Sequence, residues 1–184
     1  MDKMYSLNKD AFSSGQIGSK IWLCEQLEQA NFKSKETAIY GGWYGLLAFL
    51  LLSRGKFQVE QIKSYDIDQS CEAIANMINQ NYVFQSGKFQ AFTEDCNNLN
   101  TSADLIINTS TEHFEKLDWY KNIPLGTIVA LQGNNMEHIE HVMCAKNLEE
   151  FCDRFPVSKL IYKGQLDFNY TDWGFSRFMI IGIK

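Results

Sequence analysis

The sequence contains three histidines, and all of them follow predicted strands in the second half of the chain: His113, His138 and His141. An unperturbed imidazole has a pKa of about 6.5, so it can take up or release a proton near neutral pH. Glu112 adds a carboxylate beside the first histidine, and either Glu112 or His113 could act as a general base. The same segment also suits a helix start, with Thr111 as its cap and the acid in its first turn.

The histidines also raise the question of a metal ion. Neutral imidazoles with an acid such as Glu112 or Glu137 could bind zinc or iron, and His138 and His141 could share one helical face. Their spacing, however, is not specific to a metal site. The sequence therefore predicts no metal and favours substrate binding or surface positions for the histidines.

A second group of candidate residues begins with a glycine-rich turn, Gly41–Gly45, whose sequence is Gly-Gly-Trp-Tyr-Gly. The turn follows a predicted strand and opens a predicted helix. Glycines there allow a ligand to approach the backbone, and a helix N-terminus favours negative charge. A tight turn without a ligand would use the same residues.

Acidic residues follow the next two predicted strands. Asp66 ends the second strand, where a carboxylate can accept hydrogen bonds from ribose hydroxyls, and Asp68 suits a helix N-cap. Asp95 and Cys96 follow the third strand, where a carboxylate could accept a hydrogen bond from an adenine amino group or lie in a solvated loop. Together with the glycine turn, these residues outline a cleft shaped for adenosine.

A repeated order of short β-like run, turn and helical run places these residues. The predicted strands are 37–41, 61–66, 88–92, 104–108, 127–132, 159–162 and 178–183, and the predicted helices are 19–30, 45–53, 69–79, 112–120 and 148–155. Such alternation predicts an α/β fold with a doubly wound, mainly parallel sheet of seven strands, covered by helices on both faces. Ligands of these sheets lie beyond the carboxyl ends of the strands.

Length and composition favour one domain. With 184 residues, of which 45% are hydrophobic, the chain can form a single core. We expect residues 1–36 to form an N-terminal extension with one helix, and residues 37–184 to form a Rossmann-type core.

Charge and cysteine content bound the partners and the location. A net charge of −5 argues against a protein that coats nucleic acid, although it leaves a local nucleic-acid contact open. The five cysteines form no CxxC pair, and Met1–Asp10 has no signal-peptide character. The longest apolar run, Leu46–Leu52, is too short to cross a bilayer. We therefore expect a cytoplasmic protein without membrane contact.

The chain resembles the class I S-adenosylmethionine-dependent methyltransferase family over 37–184, and most of all small phage-encoded methyltransferase-like proteins. The family fold is a Rossmann-type, seven-stranded sheet with one antiparallel strand near the C-terminus, and the last run, Arg177–Lys184, looks like that strand. The motifs that carry the resemblance are Gly41–Gly45, Asp66, Asp95 and the strand Asp104–Asn108.

The resemblance implies S-adenosylmethionine as cofactor. It places Gly41 and Gly45 at the methionine part, Asp66 at the ribose, Asp95 at the adenine and Asn108 beneath the sulfonium. The cofactor-binding set is then Tyr40, Gly41, Gly42, Trp43, Gly45, Asp66, Ile67, Asp95, Cys96 and Asn108. The catalytic candidates are Asn108, Glu112 and His113.

The chain departs from the family pattern in its first motif. Ile39 stands where the family has an acidic residue, and Trp43 replaces the middle glycine. Three residues are candidates to bind the amino-acid end of the cofactor instead: Glu36, Tyr40 and Trp43. An aromatic face can hold a sulfonium or ammonium with a gain of about 0.5–2 kcal/mol.

The predicted function is methyl transfer from S-adenosylmethionine to an unidentified, small acceptor, in which alignment supplies much of the acceleration. Asn134–Met136 and the aromatic segment Asp167–Gly174 are further candidates for acceptor contact. One alternative is an NAD-type oxidoreductase that uses the same cleft, although the full GxGxxG spacing is missing. Another is a non-catalytic binding protein with the same fold. Affinity for S-adenosylmethionine or NAD separates the three.

Overall fold

A computed structural model describes residues 7–184, and a sheet of seven strands forms its centre. The strands are β1 (Lys33–Tyr40), β2 (Gln58–Asp66), β3 (Phe89–Thr93), β4 (Leu105–Asn108), β5 (Ile128–Asn134), β6 (Lys159–Asn169) and β7 (Gly174–Ile183). Their order is β3-β2-β1-β4-β5-β7-β6, and β7 alone runs antiparallel to its neighbours. The predicted doubly wound α/β sheet with an antiparallel strand near the C-terminus is confirmed.

Each predicted strand lies at the position of an observed one, and the largest difference is in β6. β6 continues seven residues beyond the predicted end at Tyr162, and β7 begins four residues before Phe178. These added parts pair with each other as an antiparallel hairpin. Their residues are mostly exposed or half-buried, so the apolar runs that mark the buried strands are missing there.

Within the described residues, α1 (Ser14–Gln29) precedes β1, and five helices connect the strands: α2 (Leu46–Arg54), α3 (Gln69–Ile78), α4 (Gln80–Phe84), α5 (Asp118–Lys121) and α6 (Leu148–Arg154). α1 begins five residues earlier than predicted, because the hydroxyl oxygen of Ser13 accepts a hydrogen bond from the backbone N–H of Gln16 and caps it. Within residues 7–184, no helix has the length and apolar character that a membrane crossing requires.

The predicted helix 112–120 is wrong. The chain instead forms one 3-10 turn at Thr111–His113 and the short helix α5. Between them Phe114 is extended and packs against Trp119 at a ring-centroid distance of 5.4 Å. Tertiary packing therefore overrides a weak helical preference. Thr111 is not a helix cap, since its hydroxyl donates to the carbonyl of Gln132 at 2.9 Å.

Both faces of the sheet are buried. Along β4, Leu105 and Ile107 belong to the cluster that packs against α1, α2 and α3, whereas Ile106 belongs to the cluster that packs against α5 and α6. This two-sided burial is typical of parallel strands in doubly wound sheets. Because β1 to β5 run parallel, their carboxyl ends lie along one edge of the sheet, where the connecting loops meet.

Candidate functional site

A cleft of about 970 Å³ lies along this edge of the sheet. Loops that follow β1 to β5 line it with residues that include Gly41, Asp66, Asp95, Ser110, His113 and Met136. Three residues that precede β1 also line the cleft: Asn8, Asp10 and Gln16 of α1. The predicted location of the site is thus a real concavity, and residues before the first strand also contribute to it.

The glycine-rich turn forms one wall of the cleft, and its backbone favours glycine at three positions. Gly41 has a φ of +63°, and Gly45 has a φ of +71° at the N-terminus of α2. A Cβ on Gly42 would lie 1.9 Å from Oγ of Ser64 on β2. Gly42 is therefore required for the close packing of the turn on β2, and Gly41 faces the cleft.

Asp66 connects the end of β2 to the glycine turn. Its Oδ2 accepts a hydrogen bond from the backbone N–H of Trp43 at 2.8 Å, and its Oδ1 accepts one from the N–H of Asp68 at 3.0 Å. Burial raises the pKa of Asp66, while these backbone hydrogen bonds oppose the shift. A carboxylate oxygen has two lone-pair sites, so each oxygen can still accept a hydrogen bond from a ligand in the cleft.

Asp68 has the other role that the sequence predicts. Its side chain accepts a hydrogen bond from the N–H of Ser70 at 2.9 Å and caps α3. The hydrogen bonds of Ser70 hold the pKa of Asp68 below its ordinary value. The predicted capping role of Asp68 is confirmed, although Asp68 also lines the cleft, and ligand binding by Asp66 stays a prediction.

The loops after β2 and β3 form the floor beside Asp66. Ile67 is 73% exposed and lines the cleft, so it presents an apolar surface there. Asp95 and Cys96 also line it. The carboxylate of Asp95 accepts the N–H of Asn97 at 2.9 Å, and burial raises the pKa of Cys96 to about 12. Cys96 is therefore a neutral thiol at physiological pH.

Asn108 is fully buried at the end of β4 and lies outside the cleft lining. Its Oδ1 accepts a hydrogen bond from the N–H of Ser110 at 2.9 Å, and the Ser110 hydroxyl in turn donates to the carbonyl of Gly41 at 3.3 Å. Asn108 therefore shapes the loop after β4, and this loop contacts the glycine turn through Ser110.

Two of the three candidates to replace the missing acid at Ile39 lie outside the cleft. Tyr40 is buried, and its ring packs edge-on against Tyr65 and Trp119 at 6.2 Å. Glu36 forms an ion pair with Lys63 at 2.5 Å. Trp43 does line the cleft, with a φ of +48°. The side chain of Tyr40 is thus unavailable to a ligand, contrary to the sequence-based expectation.

Lys20 on α1 is a site residue that the sequence reasoning missed. It is buried beside a cavity of about 50 Å³ that Gly41, Gly42 and Ser110 also line, and its Nζ donates to Oε1 of Gln16 at 2.5 Å. Burial lowers the pKa of Lys20 to about 7, and a nearby arginine acts in the same direction. In the sequence, the position of Lys20 between apolar residues of the predicted helix could have indicated that its side chain is buried.

Glu112 is buried in the 3-10 turn after β4, with 2% of the residue exposed. Its Oε1 accepts a hydrogen bond from the side-chain amide of Asn134 and lies 3.7 Å from Nη1 of Arg177. Arg177 also donates to the carbonyl of Thr109 at 3.0 Å. Among residues 7–184, Oε2 of Glu112 has no hydrogen-bond partner. The sequence reasoning missed both partners because they lie on β5 and β7.

The three histidines lie together at the end of the cleft nearest Glu112. The ring centroids of His113 and His141 are 4.8 Å apart, and those of His138 and His141 are 5.3 Å apart. The segment His138–His141 forms a turn, in which the N–H of His141 donates to the carbonyl of His138 at 3.0 Å. The two histidines therefore do not share a helical face, contrary to the possibility raised from the sequence. His113 keeps solvent contact, yet desolvation by nearby protein atoms lowers its pKa.

The two further segments considered for acceptor binding have mainly structural contacts. Asn134 belongs to the Glu112 environment, and Asn135 accepts the N–H of Ser176 at 2.7 Å. Met136 lines the cleft. The aromatic segment 167–174 includes the turn of the β6–β7 hairpin. There the ring centroids of Tyr170 and Trp173 stack 4.6 Å apart, and neither residue lines the cleft.

Comparison with known proteins establishes the fold through structures and not through sequence. No protein-family model matches the chain, and no curated protein matches it. The structure of N-methyltransferase NodS from Bradyrhizobium japonicum is similar, with a TM-score of 0.68 and 10% identity, over 95% of this chain and 99% of that chain. Another structure of NodS contains S-adenosyl-L-homocysteine.

Two further solved structures are also similar to this chain. Magnesium protoporphyrin IX methyltransferase from Synechocystis PCC 6803, with bound SAM, has a TM-score of 0.64 at 10% identity, over 97% of this chain and 86% of that chain. A putative RNA methyltransferase from Pyrococcus horikoshii has a TM-score of 0.61 at 11% identity, over 89% and 83%. The fold of this chain is therefore one that methyltransferases adopt.

Proposed function

We propose that this chain binds S-adenosylmethionine in the cleft and transfers its methyl group to a small acceptor. The observation that carries the proposal is the hydrogen bond from the Trp43 N–H to Asp66. It fixes a glycine turn and a strand-end acid on one side of a ligand-sized cleft, at the edge where doubly wound sheets bind nucleotides. Similar structures with SAM or S-adenosyl-L-homocysteine bound support the choice of cofactor.

The adenosine half of the cofactor would occupy the side of the cleft formed by β2 and β3. We assign the ribose hydroxyls to Asp66, and the adenine to Ile67, Asp95 and Cys96. Exposed apolar surface on Ile67 suits a flat ring, and the carboxylate of Asp95 suits an amino group.

The methionine half would lie between Gly41, Trp43 and the loop at Ser110. We assign its carboxylate to Lys20, because the small cavity beside the glycine turn contains this buried amine. An anion there would favour the protonated lysine and restore a charge that burial otherwise disfavours. Lys20 would thus compensate for the irregular first motif, and Trp43 would face the sulfonium.

The acceptor would bind at the histidine end of the cleft, between His113 and Met136. When bound, S-adenosylmethionine supplies an activated methyl group, and the protein has to align the acceptor and remove its proton. His113 is our candidate for proton removal, because its lowered pKa keeps the imidazole neutral near pH 7. Glu112 is buried behind it and would position this end of the cleft.

Calorimetric titration with S-adenosyl-L-homocysteine tests the proposal. The wild type should bind it and not NAD, and Asp66→Ala should bind roughly 10–100-fold more weakly, since hydrogen bonds to a charged group contribute about 1.5–3 kcal/mol. Glu60→Ala, an exposed acid on the same strand, is the control and should bind normally. Preference for NAD, or binding of neither nucleotide, would contradict the proposal and favour an oxidoreductase or a non-catalytic protein.

A further inference from the structure

Three ligand-type side chains meet where the loops after β4 and β5 touch. One carboxylate oxygen of Glu112 and one ring nitrogen each of His113 and His141 lie within 4.8 Å of one another. The N–H groups of Val142 and Met143 both donate to the carbonyl of Glu112, at 2.9 and 3.0 Å. These two hydrogen bonds hold the loops together, so the ligand set is ordered before anything binds.

The carboxylate of Glu112 is only half satisfied by protein. Oε1 has the amide of Asn134 and the nearby guanidinium of Arg177, whereas buried Oε2 has no hydrogen-bond partner within residues 7–184. A buried polar oxygen without a partner is costly, and a cation in contact with it removes that cost. A cation bound at this end of the cleft would satisfy the unpartnered oxygen.

The ring of His141 is oriented in the way that metal ligands require. Its Nδ1 lies 2.7 Å from the carbonyl oxygen of Met136, to which it donates in the tautomer that carries a proton on Nδ1. In that tautomer Nε2 has a free lone pair. Asn134 supports both loops, because its Nδ2 donates to Glu112 and its Oδ1 accepts the N–H of Met136 at 2.9 Å.

We propose that Glu112, His113 and His141 bind one divalent transition-metal ion, such as zinc, manganese or iron(II), at the acceptor end of the cleft. Two ligands at about 2.1 Å from a metal are at most roughly 4.2 Å apart, so small side-chain rotations close the observed 4.8 Å. Two imidazoles with one carboxylate form the donor set of open catalytic sites and not of closed structural ones.

The open positions of the ion would face the cleft, because His113 and His141 both line it. There the ion would bind a hydroxyl oxygen of the acceptor and lower its pKa, so that its proton is released to solvent. The acceptor oxygen would then form its bond to the methyl carbon as the bond from that carbon to sulfur breaks, and S-adenosyl-L-homocysteine leaves. His113 would bind the metal in place of acting as the general base. This role rests on the proposed methyl transfer. The metal site itself does not.

Metal titration of the full chain, purified without a histidine tag and stripped with chelator, tests the site. Zinc should bind at one ion per chain by calorimetry, and cobalt(II) should give visible absorption bands. His113→Gln and His141→Gln should each weaken binding by at least about 100-fold, more than the loss of an outer-shell partner. His138→Gln is the matched control and should bind as the wild type does. The histidine variants carry the test, because Glu112 is buried.

Urea denaturation of the metal-free variants does not depend on nucleoside binding and serves as the measure of folding; their free energies of unfolding should stay close to that of the wild type. No binding of zinc or cobalt(II) by the wild type, or full binding by the His113 and His141 variants, would overturn the metal site. So would loss of binding only in His138→Gln. If the metal binds and the nucleoside does not, the site stands and the proposed function fails; the reverse result removes the metal site alone.

Discussion

Asp66 accepts a hydrogen bond from the backbone N–H of Trp43 at 2.8 Å, so the end of β2 holds the turn that follows β1. One carboxylate therefore has two tasks in the proposed function, fixing the turn and binding the ribose. Both need its ionised form, because a carboxylate accepts charge-assisted hydrogen bonds that are stronger than those to a neutral acid.

Affinity for S-adenosyl-L-homocysteine should consequently depend on pH. Burial raises the pKa of Asp66 above its ordinary value of 3.8, so affinity should begin to fall, as the pH is lowered, before an ordinary aspartate would be protonated. Calorimetric titrations from pH 7 down to the acid limit of folding measure this. Asp66→Asn should bind weakly without that dependence, and an equal dependence in the variant would exclude Asp66 as its source.

The glycine turn allows a matched pair of stability measurements. Gly45 and Gly55 have similar φ values, +71° and +66°, at the two ends of α2. A Cβ at Gly45 would lie 2.7 Å from Nδ2 of buried Asn79, whereas a Cβ at Gly55 would meet nothing within 4 Å. Gly55→Ala should cost about 1–2 kcal/mol from backbone strain alone, and Gly45→Ala should cost clearly more. Urea denaturation compares them, and equal costs would show that the close contact at Gly45 relaxes freely.

Lys20 should make stability rise with pH above neutrality in the ligand-free protein. Its pKa is about 7 when folded and 10.5 when unfolded, so the unfolded chain binds more protons between these values. The free energy of unfolding should then increase by up to about 1.4 kcal/mol per pH unit in that window. Lys20→Met should lack this slope, and Lys33→Met, at an exposed position, should keep it. Identical slopes in all three proteins would show that Lys20 stays charged after folding.

Glu112 and Arg177 should be energetically coupled. Their closest atoms are 3.7 Å apart, with only 2% and 5% of the side chains exposed. Removal of one partner from a buried ion pair costs about 3–5 kcal/mol, because the other charge stays buried. Arg177→Met should therefore be strongly destabilising, and adding Glu112→Gln should restore part of the loss. A double-mutant cycle by urea denaturation measures the coupling, which additive effects would disprove.

Local patterns predicted the sheet well, because buried parallel strands have recognisable apolar runs. Leu105–Asn108 is an example, and its position between β1 and β5 in the sheet follows from the doubly wound strand order. Local rules also separated Asp68, a cap, from Asp66, a strand-end acid. They failed for Tyr40, because both faces of a parallel strand are buried and the pattern does not tell which side chain reaches the cleft.

The acceptor end of the site depends on contacts between distant parts of the chain. The sequence indicated Glu112 as a general base or as an acid in the first turn of a helix. It is buried because Asn134 and Arg177 contact it from β5 and β7. The meeting of His113 and His141 likewise depends on backbone hydrogen bonds between two loops. Sequence spacing contains no information on such pairings, so the order of strands in the sheet has to be known first.

His113→Ala should separate binding from turnover. His113 lines the proposed acceptor end of the cleft and is not among the residues assigned to the adenosine, so affinity for S-adenosyl-L-homocysteine should change little. As a general base, or as a ligand of an ion that activates the acceptor, it should contribute about 10²–10⁴-fold to the rate. A screen of metabolites and nucleic acids with labelled methyl donor identifies the acceptor. Single-turnover rates then compare the variant with the control Lys121→Ala, at an exposed position of α5. Full activity in His113→Ala would mean that alignment alone carries the reaction and that the histidine end of the cleft does not touch the acceptor.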